Sequence, residues 1–100
     1  MDAYLVYMVR TAADKLYTGV STDPMRRARE HNGSRRGARA LRGQRPVQLV
    51  WQLQTPLSIS QALKLERQIK QLDRSDKELL VKGELSIEQL GSATGVHADR

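Results

Sequence analysis

Two short runs of strand-forming residues near the start of the chain constrain its fold more than any other feature. Tyr4 to Val9 and Lys15 to Val20 are rich in β-branched and aromatic residues, and the polar segment TAAD lies between them. Two such runs joined by a connection of this length are typical of a β-hairpin. The chain is therefore expected to begin with an antiparallel pair of strands.

The first helix is predicted directly after the hairpin. Asp23 can accept hydrogen bonds from free helical amides, and Pro24 suits the first helical position because its missing N–H has no partner there. The helix is expected to extend to about Asn32 and to end at Gly33. A third strand follows at Val47 to Leu53, with Trp51 as its large side chain.

Two helix starts in the second half of the chain are predicted by capping-box patterns, each a serine followed three residues later by glutamine or glutamate. The first predicts a helix from Ser58 to about Leu72. The second predicts a short helix that opens at Ser75, with Glu78 as its box partner, and ends at Gly83. One further helical turn is predicted from Ser86 to Leu90.

The elements follow in the order β-β-α-β-α-α. This order predicts an α+β fold, a three-stranded antiparallel sheet with flanking helices. Residues 1–83 are expected to form one domain of about the size that buries a single modest core. Residues 84–100 are expected to be the short helical turn and a disordered tail, GSATGVHADR.

Charge and composition narrow the class of partner. The chain has a formal net charge of +6, all of it from residues 1–50, and the arginine-rich segment at 33–45 holds much of this excess. A concentrated basic surplus on a small domain favours binding to a polyanion, with nucleic acid the first candidate and an anionic membrane surface the second. A basic surface that serves only solubility is the alternative. The absence of cysteine excludes thiolate metal sites and disulfides. The N-terminal sequence predicts neither a signal peptide nor a membrane span, so we expect no membrane partner and a cytoplasmic protein.

Glu66 is an anomaly within the predicted helix from Ser58 to Leu72. It lies four residues after Ala62 and three before Ile69, so its carboxylate points along the apolar stripe. Such a placement is costly unless the charge is paired or binds a cation. Two interpretations stay open at this point: an ion pair with an arginine, or a ligand for a hard cation such as Mg²⁺.

The hairpin and the first helix supply the other candidate residues. Tyr7 and Tyr17 lie on neighbouring strands, and Gly19 leaves room for a backbone or a ligand to approach. Both phenols also suit a simple role in filling the sheet. Arg27 and His31 are four residues apart and share a helix face, as they also would on a solvated basic helix.

These residues together resemble the GIY-YIG nuclease superfamily. The pattern comprises Val6-Tyr7-Met8, Tyr17-Thr18-Gly19, and then Arg27, His31 and Glu66 in the expected order and spacing. The chain is similar to the small stand-alone bacterial members of that superfamily over roughly Tyr4 to Val81. The first tripeptide lacks the leading glycine and the isoleucine of the family pattern, and the second has threonine in place of isoleucine; these are packing positions.

The resemblance implies a divalent-metal-dependent endonuclease that hydrolyses phosphodiester bonds in DNA, with Mg²⁺, or Mn²⁺ in its place, as cofactor. It implies Tyr7 as general base, Tyr17 as its positioning partner, or these two roles exchanged. Arg27 would hold the phosphate, His31 would match the histidine of many members, and Glu66 would bind the metal. A tyrosine base requires nearby cations that favour its phenolate.

The remaining arginines predict the surface that meets the nucleic-acid backbone. We expect phosphate contacts and weak sequence preference, with a structure-dependent substrate in DNA repair or turnover and a partner protein that supplies the target. The arginines concerned are Arg26, Arg29, Arg35, Arg36, Arg39, Arg42 and Arg45. Many GIY-YIG members also use a late asparagine, whereas the only asparagine here is Asn32.

Two other functions fit parts of the same pattern. A nucleic-acid-binding module without turnover, assisting a partner protein, needs the same basic surface. An adaptor for an acidic protein would use the arginines but would leave the spacing of the tyrosines, arginine and glutamate unexplained. Of these three functions, only the endonuclease requires Tyr7, Arg27 and Glu66 to converge on one cation.

Overall fold

The computed structural model describes residues 2–33 and 39–89. It confirms the α+β fold and the order β-β-α-β-α-α, with one short 3-10 helix inside the basic segment. The elements are β1 Leu5–Arg10, β2 Leu16–Ser21, α1 Pro24–Gly33, the 3-10 helix Arg39–Gln44, β3 Gln48–Gln52, α2 Ile59–Lys70 and α3 Arg74–Lys82.

The sheet has the strand order β2-β1-β3, and the central strand β1 is antiparallel to both neighbours. In the hairpin, Tyr7 lies opposite Gly19 and Val9 opposite Tyr17. Because side chains alternate along a strand, both tyrosines therefore project from the same face of the sheet. The turn closes with Asp14 at φ 62°, a conformation that aspartate tolerates better than most residues.

Each face of the sheet has its own apolar cluster. Val6 and Met8 pack with Ala62, Leu65 and Ile69 of α2, and with Leu80 of α3. On the opposite face Tyr7 and Val9 pack with Ala28 of α1. Leu41 of the 3-10 helix and Val47, directly before β3, complete this cluster. The sheet is thus enclosed by α1 on one side and by α2 and α3 on the other.

Local capping signals set most helix ends where the sequence predicted them. Asp23 Oδ1 accepts a hydrogen bond from the Arg26 amide at the start of α1. Ser58 and Gln61 form a complete capping box at the start of α2. Gly83 ends α3 with φ 79°, in the left-handed region that glycine enters without steric cost.

The predicted start of α3 is wrong. The N-cap is Asp73, whose side chain accepts from the Asp76 amide, and the helix begins at Arg74. The Ser75 hydroxyl donates to the Asp73 carboxylate and so supports that cap. Glu78 does not complete a capping box, because its carboxylate binds Arg10 and Arg74. Both an aspartate and a serine can cap a helix, and here the aspartate does so.

Glu78 joins α3 to the hairpin through an ion pair between distant parts of the chain. Its two carboxylate oxygens accept from the Arg10 guanidinium at 2.7 and 2.8 Å, and Arg74 adds a hydrogen bond at 3.0 Å. Asp14 in the hairpin turn extends the cluster by pairing with Arg10 at 3.0 Å. Hydrogen bonds from Arg10 lower the pKa of Glu78 to about 2.

This lowered pKa predicts an acid-sensitive contribution to stability. The carboxylate of Glu78 titrates near 4.5 in the unfolded chain and near 2 in the folded one. Its contribution is therefore complete above pH 4.5 and is lost as the pH falls toward 2. We expect Glu78→Gln to lower the melting temperature at neutral pH, by an amount that shrinks on acidification. Thermal melts across this range test it, with the exposed Glu88→Gln as control; a deficit independent of pH would contradict the prediction.

After α3, residues 87–89 are helical. Ser86 and Gln89 exchange backbone-to-side-chain hydrogen bonds at 2.8 and 3.1 Å, which is a capping-box arrangement. Leu90 and the predicted disordered tail lie outside the described residues. Within the described ranges, no helix combines the length and apolar character needed to cross a membrane.

Candidate active site

The site is built around Tyr7, whose ring lies over Gly19 of the neighbouring strand. An added Cβ at Gly19 would lie 2.6 Å from the Tyr7 hydroxyl oxygen and 2.7 Å from Cζ. The sequence suggested that this glycine leaves room for a backbone or a ligand; the structure shows that the Tyr7 ring takes the room. The side chain of Tyr7 is 1% exposed, so its hydroxyl is held inside the α1 side of the sheet.

The Tyr7 hydroxyl lies between a cation and an imidazole. It is 2.9 Å from His31 Nε2, and the Arg27 guanidinium donates a hydrogen bond to the phenol oxygen. Burial, followed by the neighbouring Tyr17 phenol, raises the pKa of Tyr7 to about 12, although Arg27 acts in the opposite direction. The phenol therefore keeps its proton at neutral pH.

His31 is completely buried on α1, one helical turn after Arg27. Burial, followed by the charges of Arg27 and Arg45, holds the pKa of His31 below 6.5, and Glu30 only partly offsets this. The imidazole is therefore neutral at physiological pH. In the tautomer that carries its proton on Nδ1, Nε2 accepts the hydrogen bond that the Tyr7 hydroxyl donates.

Tyr17 and Arg27 form the partly exposed side of the site. The Tyr17 ring meets His31 edge to face, with the ring centroids 5.7 Å apart. The side chain of Arg27 is 29% exposed and pairs with Glu30 at 2.9 Å. Glu30 was not singled out from the sequence, although its position three residues after Arg27 on a helix was a readable signal. Its carboxylate orients the arginine that contacts Tyr7.

Glu66 approaches the same site from α2. Its charge raises the pKa of Tyr7, which places the carboxylate within electrostatic reach of the phenol. The side chain is 20% exposed, at the edge of the stripe formed by Ala62 and Ile69. It does pair with a cation, but the partner is Lys70 at 3.3 Å and not the arginine considered from the sequence. Lys70 is one turn further along α2, so this pair forms within the helix.

The structure thus brings Tyr7, Tyr17, Arg27 and His31 together, and Glu66 on α2 lies within electrostatic range of the Tyr7 phenol. The other predicted arginines are distributed differently. Arg26 and Arg29 are exposed on α1, and Arg26 lies 3.9 Å from Glu30. Arg39 and Arg42 belong to the 3-10 helix, while Arg35 and Arg36 lie outside the described residues. Arg45 is half-buried, and its Nε donates to the His31 carbonyl oxygen.

Asn32 is a residue whose structural role the sequence did not reveal. Its side-chain amide donates to the Val47 carbonyl at 2.8 Å, and its side-chain oxygen accepts from the Val47 amide at 2.6 Å. The Asn32 side chain thus pairs with both backbone groups of Val47, as a neighbouring strand would. The contact links the end of α1 to the residue directly before β3. Together with Arg45 it holds the helix end that carries His31. Nothing in the local sequence predicts a contact across fifteen residues.

A methyl group at Gly19 is expected to disrupt the site without straining the backbone. Among the described glycines only Gly83 has φ in the left-handed region, so Gly19→Ala acts through contact with Tyr7 alone. The buried ring cannot move aside freely, and overpacking of this kind costs about 1–3 kcal/mol. We expect a lower melting temperature and loss of the Tyr7–His31 bond, seen as a higher pKa for His31 by NMR titration.

Gly43→Ala is the matched control, because a Cβ there meets nothing within 4 Å. If both alanine variants melt at the wild-type temperature and His31 titrates as before, the close contact between Tyr7 and Gly19 does not constrain the site.

Comparison with known proteins identifies the family. The sequence model described as the GIY-YIG catalytic domain matches residues 3–79, which include all five candidate site residues. The chain belongs to the GIY-YIG family. This confirms the resemblance found from the sequence, and a GIY-YIG domain indicates nuclease activity.

Similar GIY-YIG relatives are small bacterial proteins. A UPF0213 protein of Vibrio cholerae is 49% identical over 87 residues, which cover 87% of this chain and 85% of the relative. A UPF0213 protein of Cronobacter sakazakii is 42% identical over 93 residues, covering 93% and 96%. The solution NMR structure of a UPF0213 protein from Bacillus halodurans superposes with a TM-score of 0.51 at 32% identity, covering 88% of this chain and 92% of that one.

Proposed function

We propose that this GIY-YIG protein is a divalent-metal-dependent endonuclease that hydrolyses phosphodiester bonds in DNA. The observation that supports this most is the position of the Tyr7 hydroxyl, between the Arg27 guanidinium and His31 Nε2 and within electrostatic reach of Glu66. A phenol that serves only to fill a sheet needs one hydrogen-bond partner. This one has both a donor and an acceptor, which suits it to pass a proton.

The proton transfer is proposed as a relay. Because the pKa of Tyr7 is about 12, only about one molecule in 100,000 carries the phenolate at pH 7, too few for a simple base. In the relay, the Tyr7 oxygen takes a proton from the attacking water while its own proton passes to His31 Nε2. The hydroxide formed attacks phosphorus, and the leaving oxygen takes up a proton from solvent. Glu30 favours the imidazolium that results.

Arg27 and Tyr17 are proposed to position the phosphate. The transition state gains negative charge on its non-bridging oxygens, and a guanidinium already in place stabilises that charge. Arg27 is partly exposed and fixed by Glu30, so it can contact a phosphate without leaving the site. Tyr17 packs edge to face on His31 and holds the imidazole against Tyr7.

The donor set fits a magnesium ion. Within residues 2–33 and 39–89 no group of three or more acidic, histidine or cysteine side chains surrounds a common point. Mg²⁺ does not require one, because it usually binds through one or two carboxylates, waters and substrate phosphate. Glu66 supplies the carboxylate. Its partly exposed pair with Lys70 is of a kind worth at most about 1 kcal/mol, so a cation can displace the lysine. When bound, the metal would supply charge stabilisation at the phosphate.

DNA is the proposed substrate, with phosphate contacts from Arg26 and Arg29 on the exposed face of α1. These arginines lie on the helix that carries Arg27, so a DNA backbone bound to them would pass close to the candidate active site. Contacts of this kind position the nucleic acid but do not read its sequence. We therefore propose a substrate chosen by structure, such as a flap, branch or end, in DNA repair or turnover.

One observation favours a second function, a nucleic-acid-binding module without turnover. Tyr7 is 1% exposed and His31 is fully buried, as in a polar contact that serves only the fold. The enzyme and the module differ in one respect: the enzyme requires solvent or substrate to reach the Tyr7 hydroxyl.

Cleavage of labelled single-stranded, duplex, flapped and branched DNA in Mg²⁺, Mn²⁺ or EDTA tests the proposal. We expect metal-dependent cutting of at least one of these substrates. Binding of the same DNA, measured by electrophoretic mobility shift in EDTA, provides the comparison. DNA that is bound but never cut under any of these conditions would replace the endonuclease by the binding module.

A further inference from the structure

We propose that one edge of α2 binds an unpaired segment of the DNA strand next to the cleavage site. This inference rests on the proposed function, because it names the kind of substrate that the same site takes. The edge comprises Ile59, Leu63, Glu66 and Lys70, with Lys64 and Arg67 beside it on the outer side of the helix.

Helix geometry places these residues in one stripe. At about 100° per residue, positions 59, 63, 66 and 70 fall within about 60° of arc. The buried face of α2 is formed by Ala62, Leu65 and Ile69, so the stripe lies along one border of that face. Glu66 is itself part of the stripe, so Ile59 and Leu63 are continuous along the helix with the carboxylate proposed as metal ligand.

The stripe carries apolar side chains that the fold does not use. Three large hydrophobic side chains are exposed in the described part of the chain: Met25 at 58%, and Ile59 and Leu63 at 45% each. Two of the three therefore lie one helical turn apart on this border. Single exposed leucines are common on protein surfaces, but a neighbouring pair continuous with the proposed metal-binding carboxylate is a more specific arrangement.

The surrounding charge identifies the occupant as nucleic acid. α2 contains three cations, Lys64, Arg67 and Lys70, and Glu66 is its only acidic residue. Lys64 and Arg67 are exposed, and in the part of the chain described here neither makes an ion pair. These cations therefore attract the phosphates of a DNA strand along the outer side of the stripe.

The apolar pair distinguishes an unpaired strand from a duplex. A duplex presents phosphates and sugars to a helix lying across it, and its base faces are hidden by stacking. Aliphatic side chains can pack on the face of a base only where that base is unstacked, whereas in a stacked duplex they reach only groove edges such as the thymine methyl. Phosphates on Lys64 and Arg67 with a base against Ile59 and Leu63 therefore fit a single-stranded tail, flap or frayed end.

Binding in EDTA tests this without relying on cleavage. Fluorescence anisotropy would measure the affinity of wild type and of Ile59→Ser/Leu63→Ser for labelled oligothymidylate and for a blunt hairpin duplex. We expect the double variant to lose about fivefold to tenfold in affinity for oligothymidylate, in keeping with the contribution of one base contact, and less than about twofold for the duplex. Met25→Ser, which removes an even more exposed apolar side chain from α1, should leave both affinities near wild type.

An equal loss for both DNAs, no loss for either, or an equal effect of Met25→Ser would overturn the inference. Leu63→Ser alone serves if the double variant melts below the assay temperature. Because cutting is not measured, the two proposals fail separately. A protein without cleavage activity can still show a selective loss of affinity for oligothymidylate, and an active nuclease can lack that loss.

Discussion

Glu66→Gln is expected to reduce metal-dependent cleavage by about a thousandfold, which corresponds to roughly 4 kcal/mol of lost transition-state stabilisation. Glutamine keeps the shape of the side chain but lacks the negative charge that would hold Mg²⁺. It also leaves Lys70, now at 3.3 Å from the carboxylate, as an unpaired cation at the site. Initial rates on the best substrate of the cleavage panel, at saturating Mg²⁺, measure the loss.

The fold is expected to tolerate this substitution. Glu66 and Lys70 are partly exposed and belong to one helix, and such pairs contribute only about 0.3–0.5 kcal/mol. The melting temperature and the affinity for DNA in EDTA should therefore stay close to wild type. Glu84→Gln, an exposed carboxylate after α3, is the matched control. Wild-type cleavage rates for Glu66→Gln would remove Glu66 as the metal ligand.

Tyr7→Phe is expected to reduce cleavage by about a hundredfold to ten-thousandfold, the usual contribution of a positioned proton-transfer group. The phenylalanine fills the same space over Gly19 but leaves His31 Nε2 without the hydroxyl at 2.9 Å. A buried polar atom left without its partner costs about 1–3 kcal/mol, so some loss of melting temperature accompanies the loss of rate. Tyr17→Phe provides the comparison, and a larger loss for Tyr17→Phe would exchange the roles of the two tyrosines.

The pH dependence separates the relay from a simple phenolate base. His31 must be neutral to receive the proton, and its pKa lies below 6.5. Activity should therefore be level from about pH 7 to 9 and should fall as the pH drops through that lowered pKa. A phenolate base with a pKa of about 12 would instead give a rate that rises steadily with pH over the same range. A tenfold rise per pH unit up to pH 9 would argue against the relay.

The sequence predicted best the features that are decided within a few residues. The strand-favouring residues of Tyr4 to Val9 and Lys15 to Val20, with the polar segment TAAD between them, predicted the hairpin. The register seen in the structure places both tyrosines on one face. Asp23 with Pro24, and Ser58 with Gln61, marked helix starts because a cap is made by atoms three positions away. The ends of such elements depend on hydrogen bonds within a few residues, so the sequence alone can locate them.

The error at α3 shows where local reasoning fails. Asp73 and Ser75 are both competent caps, and the pattern of Ser75 with Glu78 favoured the second. Glu78 instead binds Arg10, sixty-eight residues away, where the bidentate contact is stronger than a capping bond. Choices between two sound local signals are thus made by contacts with the rest of the fold.

The candidate site divides in the same way between sequence and tertiary structure. The sequence determined which residue types were available and on which face of each element they lie: Tyr7, Arg27, His31 and Glu66. Only the tertiary structure decided that the Tyr7 hydroxyl lies over Gly19 and against His31, because this depends on how α1 docks on the sheet. That docking is fixed by Asn32 on the Val47 backbone. Periodicity describes the face of one helix, whereas the distance between faces depends on packing between elements remote in the chain.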